Sequence, residues 1–298
     1  MDLATLTARF GQPGRLDFRE VNGLAVLDVS SRHGTASVAL QGAHVMHWTP
    51  RGQAPVIWLS QDARLAPGKS IRGGVPVCWP WFGAHEREAA FPAHGFARTV
   101  PWELADAAHG DEGARLCLRL PAASIPAAQW PAACELSLEV SIGTAFEAVL
   151  TTRNTGSEAF PLGEALHTYF HVGDVTQVQV LGLEGAGYLD KADNWAAKLQ
   201  AGPVTIAAEV DRLYEGTAAE CLILDPVLGR RIRVSKVGSR SSIVWNPWSE
   251  KAAKMGDLGP DGWRRMLCVE SANAGRDVIR LAPGASHSLA VRYSAEPL

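Results

Sequence analysis

Alternation of apolar and polar residues, rather than a helical repeat, organises this chain. Leu136-Ser-Leu-Glu-Val-Ser-Ile142 alternates without interruption, and Leu116, Leu118 and Leu120 share a face against Cys117 and Arg119. Leu289, Val291 and Tyr293 repeat the pattern near the C-terminus, as do Ile232 and Val234 between arginines. A period of two sends successive side chains to opposite sides of a strand. These segments therefore predict strands with one dry face and one wet face, in mostly antiparallel sheets. The 29 glycines and 18 prolines punctuate the pattern at short intervals, as in Asn154-Thr-Gly156 and Pro283-Gly284. No long amphipathic helix is legible. Trp195 to Gln200 and Ser249 to Lys254 predict short helical turns at most, and the Ala- and Pro-rich stretch Ala122 to Ala133 predicts a loop. With no internal repeat, low-complexity tract or linker, the expectation is an all-β sandwich of stacked sheets, a single domain over residues 1–298.

Composition narrows the function classes. A hydrophobic content of 47% with 20% charged residues is ordinary for a soluble globular protein with a sizeable core. The formal net charge of −3 provides no electrostatic reason to expect nucleic acid or an anionic membrane as partner. Five cysteines (Cys78, Cys117, Cys134, Cys221, Cys268), odd in number and without a C-x-x-C pair, predict reduced thiols rather than a disulfide frame or zinc site. The N-terminal stretch has neither a basic nor an apolar signal-peptide region, and no run is long and apolar enough to span a bilayer. A cytoplasmic protein is expected.

Five segments hold the candidate chemistry. Ser70 to Gly83 reads SIRGGVPVCWPWFG, with Arg72 and two glycines beside Trp79, Trp81 and Phe82. A guanidinium with close-approaching backbone suits an anion, and indoles suit the apolar face of a sugar ring, so a phosphorylated sugar would satisfy both. The same residues also suit a buried aromatic turn whose arginine caps carbonyls. Pro92-Ala-His-Gly-Phe-Ala-Arg98 could present His94 and Arg98 from one turn. In Ala165-Leu-His-Thr-Tyr-Phe-His171, a strand would place His167, Tyr169 and His171 on one face. A shared metal ion is disfavoured, because strand residues at i and i+4 stand roughly 13 Å apart. Val210-Asp-Arg-Leu-Tyr214 supplies Asp211, which could equally form a turn ion pair with Arg212. The last segment runs from Val244-Trp-Asn-Pro-Trp248 to Cys268-Val-Glu270, where Glu270 enters an apolar run and needs partners, an arginine for instance. Lys251, Lys254, Arg264 and Arg265 read as solvated charge. No G-x-S-x-G elbow, P-loop or dinucleotide fingerprint is present, which argues against Ser-His-Asp hydrolysis and removes the kinase, ATPase and Rossmann readings.

Taken together, IRGGVPVCWPWFG, PAHGFAR, ALHTYFHV, DRLY and VWNPWSEKAAKMGDLGPDGWRRMLCVE resemble the glucose-6-phosphate 1-epimerases of the aldose 1-epimerase superfamily, in family order from Ile71 to Glu270. The resemblance implies a galactose-mutarotase-like β-supersandwich and the interconversion of α and β anomers of hexose 6-phosphates. It implies a catalytic pair, His167 and Glu270, and substrate contacts from Arg72, Arg98, Asp211 and His94. It also implies no cofactor and no metal. Some relatives carry Gln before the HGFAR histidine; here that position is Ala93.

Anomer exchange requires one proton removed from O1 and one delivered to O5, so a base and an acid suffice. The expectation is that Glu270, with an ordinary pKa near ~4.3, is the base and His167 the acid. Trp79, Trp81, Trp245 and Trp248 are candidate pocket walls. The expected partner is a hexose 6-phosphate, and the expected state a monomer. The alternatives are an epimerase of unphosphorylated sugars and a non-catalytic sugar-phosphate-binding protein.

Overall fold

The computed structural model describes residues 1–298. Every sheet pairing is antiparallel, as the alternation requires. A nine-stranded sheet runs from the edge strand Val204–Thr205 through the central pair Arg230–Val237 and Ser286–Pro297 to Glu103–Gly110 at the far edge. Its members include Gly113–Arg119, Cys134–Ile142 and Phe146–Asn154, whose inward residues are buried at every second position. An eight-stranded sheet carries, in order, Ala196–Leu199, Gly187–Asp190, Val210–Glu215, Ser241–Asn246, Met266–Asn273, Glu164–Leu166 and Val77–Cys78. Tyr169–His171 also pairs with Met266–Asn273. A four-stranded sheet, from Leu16–Val21 to His44–Pro50, completes the large layers.

The strands that matter most for function depart from clean alternation. Ser241–Asn246 and Met266–Asn273 are buried at every position. One face of each joins the main core, through Val244, Leu267 and Val269. The other face joins a smaller cluster with Ile243, Trp245, Cys268, Tyr169 and Trp58. Strands covered on both sides read as continuous apolar runs, which is why MLCVESAN lacks a period of two. Glu270 belongs to the second face, one step away from Val269.

Three differences from the sequence expectations are local. Residues Leu3–Phe10 form a helix capped by the Asp2 side chain, which accepts from the Thr5 backbone N–H at 2.8 Å. Trp195 to Gln200 is not a helical turn: Ala196–Leu199 is an edge strand paired with Gly187–Asp190. Neighbouring strand edges supplied the hydrogen bonds that a six-residue helix would have lacked. Asp211 and Arg212 are not a turn pair but consecutive residues of the strand Val210–Glu215, and so point to opposite faces. The helix Trp248–Ala252 and the loop after Ala122–Ser124 agree with expectation. No helix is long and apolar enough to cross a membrane.

Gly95 fixes how the PAHGFAR loop meets the sheet. Its φ is +70°, and a Cβ there would lie 1.9 Å from the Trp79 carbonyl oxygen. That oxygen accepts from the Phe96 backbone N–H at 3.1 Å. Gly95→Ala is therefore expected to cost about 3 kcal/mol of stability through combined strain and overlap. A denaturation midpoint equal to wild type would contradict this.

Candidate active site

The pocket lies on the second face of the buried strands and encloses about 310 Å³. Glu270 projects from Met266–Asn273, and His167 from the two-residue break between Glu164–Leu166 and Tyr169–His171. That break is anchored on both sides. The His167 backbone N–H donates to the Pro76 carbonyl at 3.0 Å, and Thr168 Oγ1 and Tyr293 OH share a buried hydrogen bond of 2.7 Å on the opposite face. The His167 ring stacks on Tyr169 with centroids 5.1 Å apart and meets the edge of Trp245 at 6.0 Å. So held, its Nε2 lies 3.3 Å from Glu270 Oε1.

Burial dominates the electrostatics of this pair. Glu270 is 2% exposed, and its Oε2 and the Nδ1 of His167 have no hydrogen-bond partner. Desolvation holds the Glu270 carboxyl well above the usual range; Asp211 raises it further, while Lys191 and Arg98 oppose. Desolvation likewise pushes His167 well below its usual range, helped by His94, Arg98 and Arg72. The expected ordinary carboxylate is thus corrected: burial shifts both groups toward their neutral forms. No arginine contacts Glu270, so the simple salt-bridge alternative also falls away; its charged-state partner is His167.

The remaining candidates enter the same cavity from other elements. Arg72 is oriented by two contacts, Nε to Asp257 Oδ1 at 3.1 Å and Nη1 to Tyr169 OH at 3.0 Å. Arg98, on the single turn Ala97–Thr99, donates from Nη2 to the Ala93 carbonyl at 2.8 Å and leaves its buried Nε–H unpartnered. Ala93 thus contributes its backbone. His94 has a φ of +66° and accepts from the Gly83 N–H through Nδ1 at 3.3 Å, which leaves Nε2 as the donor. Burial, with Arg98 next, lowers His94 to about 3, so it enters the pocket neutral. Asp211 lies 3.3 Å from Lys191 Nζ, and burial raises its pKa against that cation.

The sequence reading missed Lys191 altogether. Lys191 sits between two strands in a stretch without any recognised motif, and only the fold brings it to Asp211. Lys251 is corrected from solvated charge to pocket lining, paired with Glu209 at 2.5 Å. Of the four tryptophans, only Trp245 lines the cavity. Trp79 is fully buried and donates to Thr152 Oγ1, Trp81 donates to the Pro92 carbonyl, and Trp248 packs on Trp263. His171 faces a separate cavity beside Trp58 and Asp62. Arg264 pairs with Asp174 at 2.7 Å and Arg265 donates to the Gly173 carbonyl, so these too are structural rather than free.

Donor atoms of His167, Cys268 and Glu270 lie within 4.8 Å of one another, close enough for a metal ion to bridge. Burial raises the Cys268 thiol well above its usual range, which makes it a poor ligand, since metals bind the thiolate. The cavity walls carry Arg72, Arg98, Lys191 and Lys251. Of these, Arg72, Lys191 and Lys251 are paired with Asp257, Asp211 and Glu209 while Arg98 has no acidic partner, so Arg98 is the cation free to meet an anion.

The molecule is thus a stacked-sheet protein with an imidazole and a carboxyl side by side in a polar cavity. The family model for aldose 1-epimerase matches residues 26–294, and the chain belongs to that family. It is 36% identical over 260 residues to an Escherichia coli protein named "putative glucose-6-phosphate 1-epimerase", covering 87% of this chain and 86% of that one. A protein of the same name from Cenchrus ciliaris is 34% identical over 280 residues, 90% of this chain and 83% of the relative. The solved structure of YeaD from Salmonella typhimurium, described as a "putative mutarotase", superposes with a TM-score of 0.89 at 32% identity, covering 95% and 94% of the two chains.

Proposed function

We propose that this chain interconverts the α and β anomers of a hexose 6-phosphate, glucose 6-phosphate being the leading substrate. The observation that carries the reading is one cavity in which Glu270 Oε1 and His167 Nε2 stand 3.3 Å apart while Arg72 and Arg98 line the walls. The names of the relatives agree with it.

The chemistry follows from the proton inventory. With Glu270 neutral and His167 neutral, the pair holds one transferable proton. Passing it from Oε1 to Nε2 creates a carboxylate and an imidazolium without changing the net charge. Glu270 then accepts the O1 proton of the bound hemiacetal, and His167 delivers its proton to O5. The C1–O5 bond breaks, giving the open-chain aldehyde. Rotation about C1–C2 presents the other face of the carbonyl, and the reverse transfers close the ring as the opposite anomer. A carboxylate raised by burial is a stronger base, which suits a hydroxyl proton. Asp211 and His94 are assigned to the sugar hydroxyls, and Arg72 and Arg98 to the phosphate through charge-assisted bonds.

Exchange of glucose 6-phosphate anomers, followed by NMR with and without the protein, tests the proposal. Acceleration of glucose 6-phosphate well beyond glucose and galactose supports it. Preference for the free sugars would favour an epimerase of unphosphorylated aldoses, and no acceleration of any sugar would favour a binding protein.

A further inference from the structure

Two buried carboxyls share the cavity, and Asp211 raises the cost of ionising Glu270. Glu270 must nevertheless become a carboxylate to act as a base, so a cation has to be built into the wall. The titratable and charged groups that interact with Glu270 are Cys268 on its own strand, His167 and Tyr169 from the adjoining break and strand, Cys78 from Val77–Cys78, Tyr293 from Ser286–Pro297, Asp211 from Val210–Glu215, Arg98 from the Ala97–Thr99 turn, and Lys191. Among the cations, Arg98 is assigned to the phosphate, and Lys251 is committed to Glu209. Lys191 is differently placed. Its Nζ lies 3.3 Å from Asp211 Oδ2 and 5.2 Å from the centre of the Trp195 ring.

The backbone around it is shaped for that placement. The turn Lys191–Asp193 runs into Asn194 and Trp195, two consecutive non-glycine residues with φ of +49° and +63°. Such conformations persist only where the surroundings enforce them, and they concentrate at functional sites. The enforcement is visible: Lys198 pairs with both Asp190 and Asp193, and the Trp195 N–H donates to the Asp190 carbonyl at 2.8 Å. Trp195 remains 54% exposed, so core packing does not account for its position. Its ring serves as one jaw of a clamp, with Asp211 as the other.

We propose that Lys191 is a positioning residue for the reaction: clamped between Asp211 and the Trp195 ring, it supplies the positive charge against which both buried carboxylates of the cavity are held. The inference rests on the reading of Glu270 as the base. Lys191 acts on the reacting end of the sugar, so it serves phosphorylated and free sugars alike.

The test is the pH dependence of anomer exchange for glucose 6-phosphate and glucose in Lys191→Met and Lys191→Arg. Loss of the cation raises the proton affinity of the Glu270–His167 pair, so the pair takes up a second, inactivating proton already at higher pH. In Lys191→Met the acid limb is expected to move up by about one pH unit, with rates along that limb about tenfold lower on both substrates and recovery as pH rises. Lys191→Arg is expected to restore the wild-type limb. An unmoved limb overturns the proposal, as does a uniform loss at every pH that Arg fails to rescue. A loss confined to glucose 6-phosphate also overturns it, making Lys191 a phosphate contact. Glu270→Gln, run alongside, separates the two levels. If that variant keeps its activity, the base assignment fails; if it is inactive while Lys191→Met keeps its acid limb, only the role of Lys191 fails.

Discussion

Glu270→Gln is expected to remove nearly all acceleration of anomer exchange while leaving the sugar phosphate bound. Gln keeps the shape and one acceptor but cannot take the O1 proton. A positioned proton-transfer group typically contributes about 10²–10⁴-fold, and a loss of that size in kcat with KM little changed is the expected pattern. His167→Ala should lose a similar factor by removing the donor to O5. Because the two act as one proton-sharing unit, the double variant should be scarcely worse than either single. Wild-type rates in either variant would reject the pair.

The same substitution carries a stability signature of opposite sign. Burial raises the Glu270 carboxyl above the 4.5 of an unperturbed glutamate. Its stabilising contribution is therefore complete only below that value, where both folded and unfolded chains hold the proton. As pH rises, the unfolded chain ionises while the folded one resists, and stability falls until the folded carboxyl also ionises. Glu270→Gln abolishes this decline, so its melting temperature should gain on wild type as pH rises from 4.5 toward neutrality. A difference between the two melting temperatures that stays constant over that range would show that the carboxyl is not held neutral.

Arg72→Ala is the second large effect, and it should be selective. Arg72 reaches the cavity already oriented by Asp257 and Tyr169, so its remaining donors are pre-positioned for an anion. A charge-assisted hydrogen bond contributes about 1.5–3 kcal/mol, so kcat/KM for glucose 6-phosphate should fall about 10²-fold. Turnover of free glucose should change by less than about fivefold. An equal loss on both substrates would make Arg72 a brace for Asp257 and Tyr169 rather than a phosphate ligand. A related effect concerns the acid. Arg98 and Arg72 both depress the His167 pKa, and a bound phosphate dianion would offset them. The alkaline limb should therefore extend to higher pH with glucose 6-phosphate than with glucose, and coincident limbs would break that link.

Much of the fold was legible because antiparallel strands with one wet face write their geometry directly into residue order. Leu136 to Ile142 and Leu289 to Tyr293 are strands for that reason. Legibility ended where both faces were covered, as in Met266–Asn273, and where pairing partners overrode weak local preference, as in Ala196–Leu199. Motifs found Arg72, His94, Arg98, His167, Asp211 and Glu270, and all six line one cavity. They could not find Lys191, whose meaning depends on Asp211, twenty residues along the chain on the strand that pairs with Gly187–Asp190.

Residue order alone therefore determines the strands with one wet face and the side chains that motifs mark for proton transfer and anion binding, because strand periodicity and functional-group chemistry are local properties. Charge state and partnership are not local. Glu270 reads as an ordinary carboxylate along the chain, and becomes a buried acid only when Met266–Asn273 is enclosed by its neighbours and water is excluded from around it. Desolvation and distance belong to the assembled sheets, and they turn a glutamate and a histidine a hundred residues apart into one proton-sharing pair.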